Sequence, residues 1–154
     1  MSAPALVKEP ALFSVGYEGR SIEELVALLL ANKVSVLADV RLNAISRKPG
    51  FSKKRLAEAL AVAGIAYWHA RALGNPKENR DPFHNGDVRG GLRVFRAVLS
   101  SDDAGLELGH LAELLSTERV AVLCFERDHD RCHRQVITDR ASGDMEQLPV
   151  VLLD

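Results

Sequence analysis

The sequence has little cysteine and no long hydrophobic run. Its 154 residues include only two cysteines, Cys124 and Cys132, which excludes a fold held together by several disulfides. No uninterrupted apolar stretch approaches the roughly 18–20 residues that a membrane-spanning helix needs, and the first residues lack the basic and apolar segments of a secretion signal. We therefore expect a cytoplasmic protein with free thiols and no membrane partner.

Aromatic residues and net charge are also low. Aromatics make up 5%, and 20 Lys and Arg against 21 Asp and Glu leave a net charge of −1, so the whole molecule does not attract nucleic acid electrostatically. The length and the 47% hydrophobic content are typical of one globular domain. We expect a single domain over residues 1–154, with its core from about residue 11 to 154 and residues 1–10 as an N-terminal tail. The oligomeric state does not follow from the sequence. A helix that covers a sheet and a helix that forms a dimer interface have the same spacing of apolar residues.

Strands and helices are predicted to alternate along the chain. Ser21 and Glu24 form a capping-box pattern at the start of a helix that ends near Asn32, and Ser52 and Gly64 bracket a second helix. Apolar runs predict five strands, at residues 11–15, 34–40, 65–68, 120–125 and 149–153. Helical spacing returns within residues 92–99, 108–115 and 133–140. The polar segment after His69, ARALGNPKENRDPFHNGD, is predicted to be an irregular surface loop.

Alternating strands and helices are typical of right-handed βαβ units. We therefore expect a three-layer α/β/α fold with a mainly parallel sheet of about five strands and a Rossmann-like, doubly wound topology. A strand order of the type 3-2-1-4-5 would place the first strand beside the fourth at a topological switch point. Ligands of such sheets bind beyond the carboxyl ends of the strands.

Polar residues collect directly after the predicted strands, at the expected binding edge. Before the second and third strands, the amino-end loops read NKVS and VAGI and carry one charge between them, so the asymmetry favours a site. The residues in question are Gly16, Tyr17, Glu18 and Arg20 after the first strand, Asp39, Arg41, Arg47 and Lys48 after the second, Asn75 after the third, and Cys124, Glu126, Arg127, Cys132, His133 and Arg134 after the fourth.

These residue types indicate two roles. Guanidinium and ammonium groups bind phosphate, and residues 40–57 contain six basic residues and no acid. We predict phosphate or substrate binding for Gly16, Tyr17, Arg20, Arg41, Arg47, Lys48, Asn75, Cys124, Arg127 and Arg134. We predict catalytic roles for Glu18, Asp39, Glu126, Cys132 and His133. The alternative for these charges is a solvated loop or structural ion pairs, such as Asp39 with Arg41.

Several known motifs are absent. Gly16 and Gly19 do not complete a dinucleotide fingerprint or a Walker loop. A cysteine-type phosphatase loop needs arginine six positions after its nucleophile, and Asp130 stands there after Cys124. The cysteine spacing is not that of a structural zinc site. We expect no cofactor and no metal, with a divalent metal on Cys124, Cys132 and His133 as the less favoured alternative.

Four motifs in order carry a family resemblance. The segments SVGYEGRS, LADVRLNAISRKPGFSK, ALGNPKENR and VLCFERDHDRCHR together resemble the domain-of-unknown-function 488 family from about residue 13 to 140. The resemblance implies an α/β domain and points to most of the same strand-end positions. Many members have a His-Ser pair where this chain has Tyr17, Glu18 and Gly19, so the chain resembles a GYEGRS subgroup. The resemblance implies no particular reaction.

Three functions remain open on this sequence. The leading one is an enzyme, a hydrolase or transferase, acting on a phosphate-bearing small molecule such as a nucleotide, or on nucleic acid, with Glu18 or Glu126 activating water. The second is a non-enzymatic nucleic-acid-binding module that stacks bases on aromatic rings beside the basic stretch. The third is a thiol or metal sensor that uses Cys124 and Cys132.

Overall fold

The computed structural model describes residues 9–143, 145 and 147–154. The predicted N-terminal tail, residues 1–10, therefore lies outside the described residues apart from Glu9 and Pro10. Within the described part, every helix is too short or too polar to cross a bilayer.

In the described residues, five strands and six helices follow one another in the predicted alternation. The strands are β1 (Ala11–Gly16), β2 (Val36–Asp39), β3 (Ala66–His69), β4 (Arg119–Cys124) and β5 (Val150–Leu153). The helices are α1 (Ile22–Ala31), α2 (Lys53–Val62), α3 (Arg80–His84), α4 (Val88–Val98), α5 (Asp102–Leu115) and α6 (Arg134–Gly143). Short 3-10 helices span Arg71–Leu73, Lys77–Asn79 and His129–Arg131.

All strand pairs are parallel, and the order is β3-β2-β4-β1-β5. The predicted α/β class and the β1–β4 adjacency are confirmed. The predicted order 3-2-1-4-5 is wrong, because β4 lies between β2 and β1. This position suits β4, whose residues Val120 to Leu123 are all 0% exposed and therefore need cover on both faces and both edges.

The chain runs from β1 to β3 in one direction across the sheet and from β3 to β5 in the other. With right-handed crossovers, this reversal places α1 and α2 on one face and α4 to α6 on the opposite face. Two apolar cores result. Phe13 and Leu123 pack with α1 and α2, whereas Leu12 and Val122 pack with α4 to α6, as the alternation of side chains along a strand requires.

Two of the predicted helix-end residues, Ser21 and Gly64, are confirmed, and the predicted cap at Ser52 is wrong. The Ser21 capping box is complete, with the Glu24 amide donating to Ser21 Oγ at 3.1 Å and the Ser21 amide to Glu24 Oε1 at 3.0 Å. Gly64 has the left-handed φ of +77° predicted for it. Ser52 does not cap α2 through its side chain, because its hydroxyl bonds to the backbone of Ser46 instead.

The segment after His69 is not an irregular loop. It forms two 3-10 turns and α3, and the nearly buried Asn79 ties the segment together. Its Nδ2 donates to Asn75 Oδ1 at 2.8 Å and to the Gly91 carbonyl at 2.9 Å. These bonds supply the order that the Gly, Pro and Asn composition alone does not indicate.

Candidate functional site

The strand order creates a crevice on each side of β4. Its neighbours β1 and β2 lead into helices on one face of the sheet, whereas β4 leads into α6 on the other. The loops that leave the carboxyl ends therefore diverge on both sides of β4, which is the geometry of a topological switch point. One cavity lies at the ends of β2 and β4, and we name it the β2–β4 cavity. A second cavity, bounded by β1, β5 and the loop after β4, is named the β1–β5 cavity.

The β2–β4 cavity, of about 310 Å³, brings together six of the predicted site residues. These are Tyr17, Arg41, Asn75, Cys124, Glu126 and His133. The same cavity is lined by six residues that the sequence did not indicate: Leu42, Asn43, Ile45, Arg80, His84 and Phe125. Arg80 and His84 belong to α3. They lie in the polar segment after His69, which we predicted to be a loop, and that polarity was the signal that could have indicated them.

The β1–β5 cavity is larger, about 570 Å³, and differs in charge. Of the predicted residues it contains Glu18 and Arg127. Its charged lining residues are Glu18, Asp128, Asp130 and Asp154 against Arg127, with His129 beside them. This excess of carboxylates opposes a phosphate group. The smaller cavity has one carboxylate among its lining residues, Glu126, and an arginine, Arg80, without an ion-pair partner among the described residues. It is therefore the better site for an anion.

Seven predicted residues line neither cavity. Arg20 is nearly buried and donates to the Gly16 carbonyl at 2.9 Å, and burial lowers its pKa. Arg47 is exposed, and Lys48 lies over the Phe51 ring with Nζ 3.4 Å from the Tyr17 carbonyl. The other four, Gly16, Asp39, Cys132 and Arg134, lie beneath the cavities.

Gly16 is required by a close approach of two loops. A Cβ at this position would lie 1.8 Å from the Glu126 carbonyl oxygen. The approach arises because the β1–β4 pairing continues past the strands, with the Tyr17 amide donating to the Cys124 carbonyl and the Glu18 amide to the Phe125 carbonyl. Gly16 thus sets the path of the backbone at Glu126 rather than binding an anion itself.

Replacing Gly16 with alanine is expected to lower the free energy of unfolding by about 1–3 kcal/mol, the usual cost of overpacking. The control is Gly105→Ala in α5, where an added Cβ meets no atom within 4 Å and helix propensity predicts a gain of about 0.5–1 kcal/mol. Urea unfolding measures both. Equal stability of Gly16→Ala and the wild type would contradict the close approach.

On the α1–α2 face, Asp39 forms a buried ion pair with Arg41. Asp39 is 0% exposed, and the pair is bidentate, with Arg41 Nε 2.8 Å from Oδ1 and an Arg41 terminal nitrogen 2.7 Å from Oδ2. The Tyr67 hydroxyl donates to the same Oδ2 at 2.6 Å. Burial and this hydrogen bond raise the pKa of Tyr67. These contacts fit a structural role for Asp39 rather than the catalytic one predicted.

Arg41 has little hydrogen-bonding capacity left for a ligand. Its second terminal nitrogen donates to the Phe51 carbonyl at 2.7 Å and to the Tyr17 hydroxyl at 3.3 Å. Burial acts to lower its pKa, but the hydrogen bonds and charge of Asp39 outweigh burial and raise it. The Tyr17 ring stacks on Phe51 with centroids 4.4 Å apart, so Arg41, whose charge Asp39 balances, fixes the aromatic wall of the cavity.

On the α4–α6 face, two thiols and an imidazole converge at the inner wall of the β2–β4 cavity, which Cys124 and His133 line. Sγ of Cys124, Sγ of Cys132 and a ring nitrogen of His133 all lie within 4.8 Å of one another, and all three residues are buried. We call these residues the thiol cluster. Glu126 borders it, with Oε2 3.2 Å from Cys124 Sγ and 3.6 Å from Cys132 Sγ.

The protonation of the thiol cluster is asymmetric. Burial, followed by the hydrogen bond to Cys132, raises the pKa of Cys124. Burial acts to raise the pKa of Cys132 too, but the hydrogen bond from Cys124 and the positive charges of His133 and Arg134 prevail and hold it well below its usual range. Burial acts to lower the pKa of His133, and the charge of Cys132 outweighs it and raises that pKa.

Arg134 is a fully buried cation without a carboxylate partner. Its side chain is 0% exposed, its Nε donates to Ser14 Oγ at 2.7 Å, and its terminal nitrogen donates to Cys124 Sγ. Within the described residues, no carboxylate lies within 4.0 Å of its guanidinium. A buried charge needs compensation, so Arg134 favours negative charge on the sulfurs rather than binding an external phosphate.

The cavity rim offers three kinds of interaction to a ligand. Arg80 is exposed and forms no ion pair with any residue the structure describes, so its donors are available to an anion. Phe125 is 47% exposed and meets Tyr17 edge-on at 5.4 Å, leaving an aromatic surface for a planar group. Glu126 is half-buried and supplies a carboxylate that can accept or donate a proton.

Comparison with known proteins gives one match. A family model described as "Domain of unknown function DUF488" matches residues 21–141. No curated protein and no solved structure matches the chain significantly.

Proposed function

The chain belongs to the DUF488 family, whose description assigns no reaction, and we therefore propose its function from its own site. We propose that it is an enzyme, a hydrolase or transferase, that acts on a phosphate-bearing nucleotide or nucleic-acid substrate in the β2–β4 cavity. The observation that carries the proposal is the presence in one cavity of an available arginine, an exposed aromatic ring and a carboxylate: Arg80, Phe125 and Glu126.

Each group has a distinct role in this proposal. Arg80 pairs with the phosphate, because a guanidinium binds phosphate oxygens through two parallel hydrogen bonds. Phe125 stacks on the base, an interaction worth about 1–3 kcal/mol per base. Glu126 is the general acid or base at the bond that is broken. Arg41 and Asn75 line the wall and shape it, because their side chains are already bonded to the protein.

Glu126 is favoured over Glu18 as the catalytic carboxylate. Glu126 shares its cavity with two arginines. Glu18 lies in the β1–β5 cavity among other carboxylates, and its Oε1 accepts the Arg127 amide at 3.1 Å. A substrate phosphate held by Arg80 therefore places its neighbouring bonds close to Glu126.

Binding tests the role of Arg80. We expect nucleoside phosphates to bind in isothermal titration calorimetry and Arg80→Ala to weaken binding about 10- to 100-fold, because a hydrogen bond to a charged group contributes about 1.5–3 kcal/mol. Arg96→Ala is the matched control, since Arg96 is an exposed arginine on α4 that lines no described cavity at the binding edge. Equal loss in both variants would contradict a phosphate site at Arg80.

A non-enzymatic nucleic-acid-binding module is the second candidate. Its support is the basic stretch, of which Arg47, Lys53, Lys54 and Arg55 are exposed. Lys48 connects this stretch to the carboxyl edge through the Tyr17 carbonyl. This alternative predicts binding of oligonucleotides but not of mononucleotides, with an affinity that falls steeply with added salt.

A further inference from the structure

We propose that Cys124, Cys132 and His133 bind one Zn²⁺ ion at the inner wall of the β2–β4 cavity. The two sulfurs and one imidazole nitrogen are the donor types that zinc prefers. Their ligand atoms already lie within 4.8 Å of one another. The spacing in the sequence does not indicate this site, because the ligands come from separate elements. Cys124 ends β4, whereas Cys132 and His133 immediately precede α6.

One pair of ligand atoms already has the separation that a tetrahedral ion requires. Zinc–sulfur bonds of about 2.3 Å and zinc–nitrogen bonds of about 2.0–2.1 Å place a sulfur and a nitrogen ligand about 3.6 Å apart in tetrahedral geometry. Cys132 Sγ and His133 Nδ1 are 3.5 Å apart. Cys132 is extended, with φ −134° and ψ 149°, and the chain enters α6 at Arg134, directly after His133.

The surroundings of the ligands also suit a metal. The other ring nitrogen of His133, Nε2, lies 2.9 Å from the Val40 carbonyl, so donation to that carbonyl leaves Nδ1 free to bind the ion. In metal sites, the ring nitrogen that does not bind the metal commonly donates to a backbone carbonyl in this way. The Arg134 amide points at Cys132 Sγ and the Arg134 guanidinium at Cys124 Sγ, and such N–H donors stabilise thiolate ligands.

Charge balance supports the same assignment. With an ion bound, Cys124 and Cys132 would both be thiolates, because zinc binding releases the thiol proton. Together with the neighbouring Glu126 they would carry three negative charges, which Zn²⁺ and the guanidinium of Arg134 would balance. Three protein ligands leave a fourth position, as in catalytic rather than structural zinc sites. Cys124, Glu126 and His133 line the cavity, so the open position borders the substrate space and Glu126.

The metal site goes beyond the proposed function, and it is tested without substrate. Protein purified under reducing conditions, stripped with a chelator and titrated with Zn²⁺ against a chromophoric competitor is expected to bind one ion per chain. Cys124→Ser and Cys132→Ser are each expected to weaken binding more than about 100-fold, since even outer partners contribute about 10- to 100-fold. His110→Gln, an exposed histidine on α5, is expected to bind zinc as tightly as the wild type.

Two further measurements use the wild-type protein and therefore test the site even if a cysteine variant does not fold. Co²⁺ in the wild-type protein is expected to show the thiolate-to-metal charge-transfer absorption of a sulfur-ligated ion, and bound Zn²⁺ is expected to protect both thiols from a thiol reagent. A cobalt spectrum without that absorption, equal thiol reactivity with and without zinc, or equal zinc affinity in the double variant Cys124→Ser/Cys132→Ser would overturn the site. Zinc binding without nucleotide binding would refute only the proposed function.

Discussion

Asp39→Ala is expected to lower the free energy of unfolding by about 3–5 kcal/mol, the effect of removing one partner of a buried ion pair. The variant leaves the Arg41 guanidinium buried, with 7% of its side chain exposed, and without the carboxylate that now pairs with two of its nitrogens. The Tyr67 hydroxyl loses its acceptor in the same change. Since domains are stable by about 5–15 kcal/mol, we expect a large drop in the urea midpoint.

A matched control separates burial from charge. Glu58 pairs with Arg55 at 3.6 Å, but both side chains are exposed, at 52% and 77%. Glu58→Ala is therefore expected to change stability by no more than about 0.5 kcal/mol. The double variant Asp39→Leu/Arg41→Met, which removes both charges, is expected to regain part of the loss. If Asp39→Ala unfolds like Glu58→Ala, the buried pair does not stabilise the fold as described.

The ion pair also maintains the cavity wall. Arg41 contacts the Tyr17 hydroxyl and the Phe51 carbonyl, and the two rings stack on each other. Loss of Asp39 therefore frees Arg41 and disturbs the ring that Phe125 meets. A weaker ligand affinity in Asp39 variants would reflect this positioning role, because Asp39 itself does not reach the cavity.

The fold class followed from local patterns, whereas the strand order did not. Alternating apolar runs and helix caps such as Ser21 with Glu24 are local properties that a sequence shows directly. Which strands become neighbours is decided by long-range burial, and the insertion of β4 between β2 and β1 leaves no local trace. Six of the predicted residues nevertheless line one cavity at the carboxyl edge, and this grouping depends on parallel strands rather than on their order.

The division of the candidate site between two faces could not be predicted either. Asp39 and Cys124 both end strands, but they fall on opposite sides of the sheet, with the α1–α2 core and the α4–α6 core respectively. Side-chain alternation predicts this only when strand ends are known to within one residue. Arg80 was missed for another reason: it reaches the cavity from α3, a helix that tertiary hydrogen bonds of Asn79 hold in place.

Replacing Glu126, the proposed general acid or base, is expected to have a large effect on turnover. Glu126→Gln keeps the size of the side chain and removes its ability to exchange a proton. General acid–base catalysis contributes about 10²–10⁴-fold to the rate, so a loss of that size is expected. Binding is expected to change little, because Arg80 and Phe125 hold the phosphate and the base. Glu18→Gln is the matched control, as it alters a carboxylate of the neighbouring β1–β5 cavity.

The most direct measurement is turnover followed by mass spectrometry, with nucleoside phosphates and short oligonucleotides as probes and with wild type, Glu126→Gln and Glu18→Gln compared side by side. We expect conversion of at least one probe by the wild type and by Glu18→Gln at similar rates, and a loss of about 10²-fold or more in Glu126→Gln. Conversion by Glu126→Gln at the wild-type rate, or no conversion of any probe by the wild type, would contradict the proposed function.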